Sequence, residues 1–460
     1  MDFLPGLRGL PGWGPLRIGV TGLARSGKTA FLTSLAANLL AQGSGVSAVL
    51  PALTARLGAR SFRASLAPAG ASAVPRFDVS GHLAALAADP PRWPARTGAI
   101  ALLALELEIG RAGLAASLPP RRLRLELLDY PGEWLLDLVL LRQDFAGWSA
   151  ATLRRLEMAE AAQYAREFLS FAHGLPARAA ADEALAATGH RLYRAALRRL
   201  RDEVGLSFLQ PGRFLMPAPG PEPPWIGFFP LPGGSGGLAA LLASRFEAYR
   251  DAVGRDLLSP SFGQVDRLVV LSDILSALHA GPAAFADMAR ALGGAAEALS
   301  WRRPWTDAIP ILRNLPLPTW LAPGGIRRVA FAATKSDHVA ERQRGNLAAL
   351  VRALTALPPG AEGLPTASFA IAAVRCTEDF VWTLDGRNIS AVRGRVLGDD
   401  RLTRSYPGEV PDRPPDPAFW AHSFLALPEF EPRRLPADGR AGVPQIGLDA
   451  LLAFLLEDVL

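Results

Sequence analysis

The sequence predicts an α/β fold built on a doubly wound sheet, in which strands alternate with helices and a helical segment interrupts the series. One observation is a short apolar run at residues 16–21 (LRIGVT), which precedes a glycine-rich loop and then an apolar segment at helical spacing that ends at Gly43. A second is the return of apolar strand patterns later in the chain, at 266–273, 328–333 and 368–374. Between these two groups, residues 150–260 contain amphipathic helical patterns.

Two segments with strict apolar–polar alternation predict half-buried strands. In residues 105–109 (LELEI) leucine and isoleucine alternate with glutamate, and in residues 122–127 (RLRLEL) leucine alternates mainly with arginine. Alternation with period two places the charged residues on one face of each strand. Opposite charges on these faces suit cross-strand pairing.

The composition favours a cytoplasmic protein with a large hydrophobic core. Half of the 460 residues are hydrophobic, the net charge is +6, and Cys376 is the only cysteine, so no disulfide can form within the chain. The positive charge is too small to indicate nucleic-acid binding by itself. The first residues lack a signal-peptide pattern, and no apolar run approaches the ~20 residues of a membrane helix. Peripheral contact at the inner face of a membrane stays an open alternative.

The first chemical motif is GLARSGKT, residues 22–29, which matches G-x-x-x-x-G-K-[ST] between a predicted strand and a predicted helix. Such a loop wraps phosphate groups with backbone N–H groups, and the helix N-terminus adds its positive end. Lys28 would reach the β- and γ-phosphates, and Thr29 would place its hydroxyl on Mg²⁺. A chance match is the alternative, and the flanking strand and helix disfavour it. The predicted nucleotide contacts of this segment are Gly22, Ala24, Arg25, Ser26, Gly27, Lys28, Thr29 and Ala30.

Lysine is nearly absent from this chain, which makes its two occurrences informative. Lys28 and Lys335 are the only lysines, and every other basic side chain among the 49 Lys and Arg residues is arginine. Arginine is a planar fork, whereas lysine is a compact charge on a slender stem. The survival of lysine at these two positions suggests sites where the fork does not fit.

The second motif is DYPG, which begins at Asp129 directly after the second alternating strand. In this place an aspartate would hold a metal-bound water, and the Gly132 N–H would sense the γ-phosphate. The alternative is an ordinary turn, because D-x-x-G alone has little specificity.

The third motif is TKSD, residues 334–337, which ends another apolar strand. Asp337 would accept hydrogen bonds from guanine N1–H and the 2-amino group, two donors that adenine lacks. Lys335 would lay its methylene stem along the base, and Thr334 is the first residue of the motif. The alternative is that Asp337 caps the helix that follows.

Metal-dependent hydrolases and enzymes that use a nucleophilic serine or cysteine are disfavoured by the sequence. The histidines are scattered without metal-ligand spacing, one cysteine cannot form a thiolate cluster, and no G-x-S-x-G precedes a helix. His338, beside Asp337, is expected at the surface.

With its three motifs in this order, the chain resembles the YcjX family of bacterial P-loop GTPases. The resemblance rests on VTGLARSGKTAFLTSL, RWPART, ELLDYPGEWLLDL, LQPGRFLMP, DRLVVLSDILSALHAGP, FAATKSDHV, IAAVRCT and IGLDALLAFLLED. It implies a P-loop NTPase (G-domain) fold interrupted by a helical domain, GTP binding and hydrolysis, and induction under stress. It also implies a candidate partner, because a YcjF-type membrane protein is encoded alongside in some bacteria.

Within this family pattern, three residues are candidates for the chemistry of hydrolysis. Thr97, in RWPART, would complete the Mg²⁺ shell as a switch threonine, or would only start a strand. Glu133 occupies the place where many GTPases have a water-orienting glutamine, yet an ionised glutamate cannot donate a hydrogen bond. Arg25 would supply a positive charge to the phosphates from within the chain, or would instead pair with a carboxylate of the helical insert. Backbone N–H groups near Ala373 and Val374 would contact guanine O6.

The expected domains are a first G-domain part, a helical insert, a second G-domain part, a Pro/Arg-rich insertion and a terminal helix, at 1–149, 150–262, 263–384, 385–435 and 436–460. The expected function is a Mg²⁺-dependent GTPase that acts as a conformational switch in a bacterial stress or envelope response. An ATP-using kinase is the rival with the same fold, and TKSD disfavours it. A nucleotide-gated scaffold with negligible turnover is the rival from another class. No nucleic-acid partner is expected, and the oligomeric state is not indicated.

Overall fold

The computed structural model describes residues 15–460 except 24, 69–73, 96–99, 114–115, 218–219, 259–264, 301–325, 358–363, 385, 400, 423, 425–426 and 437–440. The contacts of the chain divide it into two compact units. The sheet unit lies within Met1–Tyr130, Gln264–His279 and Ser300–Leu460. The helical unit lies within Pro131–Gly263 and Ala280–Leu299.

Among the described residues, seven strands form the central sheet of the sheet unit. They are β1 (Leu16–Gly22), β2 (Phe62–Leu66), β3 (Ala101–Ile109), β4 (Arg121–Asp129), β5 (Arg267–Ser272), β6 (Arg328–Ala333) and β7 (Thr366–Ala370). Their spatial order is β2-β3-β4-β1-β5-β6-β7. Strands β4, β1, β5, β6 and β7 are parallel to one another, whereas β3 pairs antiparallel with both β4 and the edge strand β2. The fold is therefore mixed α/β with a mostly parallel central sheet.

Some of the described helices belong to the sheet unit and the others to the helical unit. Those of the sheet unit are α1 (Lys28–Gly43), α2 (Pro51–Leu57), α3 (Val79–Ala87), α10 (Ile274–Ala280), α12 (Glu341–Leu354) and α13 (Leu448–Leu455). Those of the helical unit are α4 (Glu133–Leu140), α5 (Phe145–Leu156), α6 (Ala159–His173), α7 (Glu183–Arg199), α8 (Gly212–Leu215), α9 (Gly237–Leu258) and α11 (Pro282–Ser300). None of the helices among the described residues combines the length and the hydrophobicity that a membrane-spanning helix needs.

The predicted pairing of the two alternating strands is confirmed. Strand β3 lies directly beside β4, with Glu106 opposite Arg124 and Glu108 opposite Arg122. Both pairs are in contact, at 3.2 Å for Arg124 Nη1 to Glu106 Oε1 and 3.1 Å for Arg122 Nε to Glu108 Oε1. On the opposite face, the leucines of both strands pack into one aliphatic core with α1, α2 and α13. The alternation in the sequence thus separates the core side of this pair of strands from its solvent side.

A second, smaller sheet follows the central sheet in the chain. Strands β8 (Thr377–Leu384), β9 (Arg387–Arg395) and β10 (Leu402–Ser405) pair antiparallel in the order β10-β9-β8. This sheet is not predicted from the sequence, because the stretch is rich in glycine and arginine and lacks a clean apolar–polar alternation. The boundary predicted at residue 385 falls inside the β8–β9 hairpin.

The helical unit is built around an aromatic and aliphatic core to which α4 belongs. Asp137 of α4 is buried, and its carboxylate accepts hydrogen bonds from Gly212 N (2.7 Å), Arg213 N (3.3 Å) and Tyr249 Oη (2.6 Å). The Gln210 side chain adds a hydrogen bond to the Leu136 carbonyl oxygen (2.7 Å). These bonds fasten α4 to α8, to the loop before α8 and to α9.

The first boundary between the units along the chain lies between Tyr130 and Pro131, inside the DYPG motif. Helix α4 follows this motif directly and contributes Leu140 to the core of the helical unit. The boundary predicted at residue 150 falls inside α5. The domain division predicted from the sequence stays a prediction.

The buried Asp137 makes a testable contribution to stability. Burial raises the pKa of Asp137 to about 6, although hydrogen bonds from Tyr249 and Gly212 oppose the shift. Because this lies above the unfolded-state value of about 4, the folded state binds the extra proton, and stability falls as the pH rises between these two values. We expect the unfolding free energy of the parent, relative to Asp137→Asn, to fall by about 2 kcal/mol between pH 4 and pH 7.

Chemical denaturation across this pH range measures the difference. Asp251→Asn is the matched control, because Asp251 is an exposed aspartate on α9. A parent-to-Asp137→Asn difference that stays constant with pH would contradict the assignment of a raised pKa to this carboxyl.

Candidate nucleotide site

The carboxyl ends of the five parallel strands meet at one edge of the central sheet. Strand β1 lies between β4 and β5, so the chain crosses to opposite sides of β1 and creates a topological switch point. Ligands of open α/β sheets bind outside the carboxyl ends at such a point. The loop after β1, Asp129 at the end of β4, and TKSD after β6 all lie at this edge. The sheet thus brings together three sequence-predicted segments.

The loop after β1 is packed tightly against β5. Leu23 N donates a hydrogen bond to the Leu271 carbonyl oxygen (3.0 Å). A Cβ atom on Gly22 would lie 2.6 Å from that same oxygen and 2.5 Å from Ser26 Oγ, so only glycine fits there. The Ser26 hydroxyl is buried and has no hydrogen-bond partner among the described residues. The loop is therefore a tight cradle with an unsatisfied polar group inside it.

The N-terminus of α1 opens into this cradle. Gly27, the N-cap residue, has φ 78° and supplies no side chain, so no side-chain hydrogen bond caps the helix. The first N–H groups of a helix lack partners within the helix, and together with the helix dipole they attract an anion. Lys28 is the first residue of α1, and Ala30 lies in its first turn. This geometry fits a phosphate group.

Arg25 lies in the same loop with a left-handed backbone. Its φ is 61°, an uncommon value for a residue with a side chain, and it is exposed to solvent. Within its own unit it forms no ion pair with any described residue. Its neighbour Ala24, also predicted to contact the nucleotide, lies outside the described residues.

The predicted metal ligands are oxygen donors, the type that Mg²⁺ prefers. Asp129 is buried at the end of β4, opposite Val20 of β1, and Thr29 lies in the first turn of α1. Mg²⁺ is usually held by one or two carboxylates together with waters and substrate phosphates, so this small donor set fits it. Thr97 lies outside the described residues. Gly132 and Glu133 lie in the helical unit, at the start of α4.

TKSD forms a sharp turn after β6. Lys335 has a left-handed backbone with φ 58°, and its ammonium Nζ lies 2.6 Å from Asp273 Oδ2. Asp273 directly follows β5, the neighbouring strand. The Thr334 hydroxyl donates to the Ser272 carbonyl oxygen (3.3 Å) and therefore supports the turn.

Asp337 is buried, with 2% of its surface exposed, and the backbone around it is held from the next loop. Its Oδ2 accepts a hydrogen bond from Cys376 N (2.8 Å), and its carbonyl oxygen accepts one from the Thr377 hydroxyl. Asp337 does not cap α12, because that helix begins at Glu341 and its first N–H donates to Asp379 Oδ1 (2.7 Å). The helix-cap alternative for Asp337 is wrong.

The loop after β7 approaches TKSD from the other side. Strand β7 ends at Ala370, four residues earlier than predicted, because Ala372 leaves the sheet to pair with Ile446. Ala373 and Val374 consequently lie in a loop, and their backbone N–H groups donate no hydrogen bond to any described residue. Free N–H groups in this place suit an acceptor such as a base oxygen.

The expectation that His338 lies at the surface is wrong. Its side chain packs edge-on against Phe430, at 5.0 Å between ring centroids, and only 9% of the residue is exposed. Burial lowers the pKa of His338, while the neighbouring Asp337 opposes the shift. The His338 side chain is thus an uncharged, buried group that packs beside the TKSD turn.

A family model, the YcjX-like family (DUF463), matches residues 16–460 of this chain. The chain belongs to the YcjX-like family. It is 34% identical over 462 residues to the Ras-like GTPase YcjX of Escherichia coli (strain K12), covering 97% of this chain and 96% of that protein. It is 31% identical over 471 residues to the Ras-like GTPase YcjX of Shewanella oneidensis, covering 97% and 94%.

Two carboxylates of this YcjX-like chain were not singled out from the sequence. Asp273 pairs with Lys335, and Asp379 accepts hydrogen bonds from Arg344 (2.7 and 2.9 Å) and Arg375 (3.0 Å). Arg344 also donates to the Ser336 carbonyl oxygen (3.2 Å), so Asp379 ties TKSD to the loop after β7. The only signal for Asp273 in the sequence was its place in DRLVVLSD, a segment that resembles the family, whereas Asp379 lies two residues beyond IAAVRCT and carried no signal.

The close approach of Gly22 to β5 predicts a specific cost of adding one methyl group. We expect Gly22→Ala to lower the unfolding free energy by about 2 kcal/mol, because backbone atoms must move to admit the Cβ. Gly345→Ala is the matched control: Gly345 lies inside α12 with open space around it, so alanine should stabilise by up to about 1 kcal/mol. Denaturant melts of both variants measure this, and equal effects would contradict the tight cradle.

Proposed function

We propose that this protein binds guanine nucleotides together with Mg²⁺, hydrolyses GTP, and acts as a conformational switch. The observation that carries the proposal is the uncapped N-terminus of α1, with Lys28 as its first residue, at the same sheet edge as Asp129 and Asp337. The names of its relatives, which are Ras-like GTPases, support it.

The phosphate chain would lie in the loop of residues 22–29. Backbone N–H groups at the start of α1 would bind the β-phosphate, and the Lys28 ammonium would contact the β- and γ-phosphates. Thr29 and Asp129 would hold Mg²⁺, Asp129 through a water, with Thr97 as the predicted third contributor. When bound, Mg²⁺ neutralises the charge that the phosphate oxygens carry.

The base would lie between TKSD and the loop after β7. One oxygen of Asp337 is engaged by Cys376 N, which orients the carboxylate and leaves acceptor capacity for guanine N1–H and the 2-amino group. The free N–H groups of Ala373 and Val374 are suited to guanine O6. Adenine has an amino group in place of O6 and lacks both donors, so the pocket would reject it.

In the proposed hydrolysis, water attacks the γ-phosphorus and the bond to the β–γ bridging oxygen breaks. The products are GDP, inorganic phosphate and one proton. Lys28 would stabilise the charge that develops on the bridging oxygen, and the exposed Arg25 would add a second cation. Glu133 in its ionised form cannot donate to the water, so slow intrinsic turnover is expected.

The switch would act through the chain segment that joins the two units. Gly132, the predicted γ-phosphate contact, directly precedes α4, and Asp137 anchors α4 in the core of the helical unit. A change at Gly132 on hydrolysis would therefore reach that core along a short, hydrogen-bonded path. The predicted stress or envelope role, and contact with a YcjF-type membrane protein, belong to this proposal.

Phosphate release by the purified chain tests the proposed activity. The parent should release phosphate from GTP and not from ATP, and Lys28→Ala should reduce the rate at least about a hundredfold. Arg25→Ala should lower kcat more than it lowers GTP affinity, because a cation of this kind acts mainly in the transition state. Arg63→Ala is the control, since Arg63 is an exposed arginine on the edge strand β2.

Three outcomes of this assay would count against parts of the proposal. Equal release from ATP would remove guanine selectivity. GTP binding with release no faster than that of Lys28→Ala would favour the nucleotide-gated scaffold. In some GTPases an asparagine at the position of Arg25 coordinates an activating K⁺, whose charge the guanidinium would replace. Strong stimulation of the parent by K⁺ over Na⁺, or an unchanged kcat in Arg25→Ala, would therefore remove Arg25 from the mechanism.

Replacing one side-chain oxygen of Asp337 by an amide nitrogen should change which base the site prefers. In Asp337→Asn the side-chain oxygen must face Cys376 N–H, so the amide NH₂ should face the base and donate to the 2-oxygen of xanthine. We expect GTP affinity to fall at least about tenfold and XTP affinity to rise. Competition against a fluorescent nucleotide measures both, with Asp399→Asn as an exposed control. An unchanged preference for GTP over XTP would place the base elsewhere.

A further inference from the structure

The Lys335 side chain is held in place by one partner. Its ammonium lies 2.6 Å from Asp273 Oδ2, and 37% of the lysine side chain is exposed against 6% for the aspartate. The Lys335 backbone is in the left-handed region, a conformation that persists only where surrounding contacts hold it. The lysine stem therefore runs from a constrained backbone to a fixed, buried carboxylate.

The Asp273 carboxylate is also held by hydrogen bonds that do not involve Lys335. It caps α10, because Oδ1 accepts from Ser276 N (3.1 Å) and Oδ2 accepts from the Ser276 hydroxyl (2.7 Å). It follows β5, whose Leu271 carbonyl oxygen contacts the phosphate-binding loop. Asp273 thus lies at the carboxyl end of β5, the strand between β1 and β6, which precede the predicted phosphate and base positions.

The first residue of TKSD does not compete for this role. The Thr334 hydroxyl is turned toward the Ser272 carbonyl oxygen, and Asp337 is held from behind by Cys376. In this turn the long apolar stem that remains to cover a planar ring is that of Lys335. The direction of that stem depends on where its ammonium is anchored.

We propose that Asp273 is a positioning residue for guanine-nucleotide binding, which holds the Lys335 stem against one face of the base. This rests on the proposed function, and it adds a residue to which the sequence motifs assign no role. Because GTP and GDP share the base, Asp273 should set the affinity for both by the same factor. It should have little influence on the hydrolytic step, because its carboxylate contacts Lys335 and Ser276 rather than the predicted phosphate-binding loop.

Three substitutions separate the ion pair from the helix cap. Asp273→Asn keeps a good N-cap residue and removes the charge that holds Lys335. Lys335→Met keeps an apolar stem of similar length and removes the ammonium. Ser276→Ala removes the hydroxyl contact of the same carboxylate and leaves the ion pair intact, so it is the matched control.

Equilibrium titration of mant-GDP and of a non-hydrolysable mant-GTP analogue measures the effect in the full chain. We expect Asp273→Asn and Lys335→Met each to raise both dissociation constants about tenfold, the loss of one charge-assisted contact, while Ser276→Ala stays within about twofold of the parent. In the double variant, Asp273→Asn should add less than about twofold to Lys335→Met, because both substitutions break the same pair. The kcat at saturating GTP should change less than the dissociation constants do.

Several results would overturn the proposal. Additive effects in the double variant, a loss reproduced by Ser276→Ala, or a change in kcat with unchanged affinity would each assign Asp273 another role. A melting temperature of the nucleotide-free Asp273→Asn protein far below that of the parent, with a normal Lys335→Met affinity, would show a purely structural aspartate. If the parent binds mant-GDP and Asp273→Asn binds it equally well, only this inference fails. If the parent binds neither nucleotide, the proposed function fails with it.

Discussion

The parallel pairing of β1 with β4 on one side and β5 on the other is the constraint on which the candidate site depends. Parallel neighbouring strands end at the same edge of the sheet, so the segments that follow them are brought together there although they are far apart in the sequence. The register of β1 against β4 places Asp129 opposite Val20, two residues before Gly22. Strand β5 carries Leu271 against the glycine loop, so the same pairing also shapes the cradle formed by residues 22–29.

Each carboxylate at this edge is fixed by a different physical device. Strand register positions Asp129, a backbone N–H from the following loop holds Asp337, and a helix cap together with an ion pair holds Asp273. Fixed carboxylates lose little freedom when a ligand binds, which favours both affinity and selectivity. The two lysines of the chain lie among these acids, one at the start of α1 and one after β6. Both lysines, whose side chains are slender cations, thus lie where several segments of the backbone meet.

The sequence predicted the local parts of this site better than its long-range contacts. Alternation in β3 and β4 was sufficient to predict their charge pairing, because period two reports directly on which face a residue occupies. The pairing of Lys335 with Asp273 spans 62 residues, and an aspartate after a strand is indistinguishable from an ordinary turn residue. The small sheet was missed for a similar reason, since its strands are recognisable only by their partners. The hydrogen bonds of Asp137, which hold α4 within the helical unit, are likewise not revealed by any periodicity.

If the loops at the carboxyl edge form a single guanine-nucleotide site, as proposed, they should all respond to the same ligand. Hydrogen–deuterium exchange of the full chain, measured with saturating Mg²⁺ and either GDP or ADP, follows all three loops in one experiment. We expect GDP to protect residues 22–31, 334–338 and 371–376 together, ADP at the same concentration not to protect them, and β2 at the far antiparallel edge to exchange equally in both. Protection by ADP equal to that by GDP, or protection of only one of these three segments, would rule out a single guanine-nucleotide site.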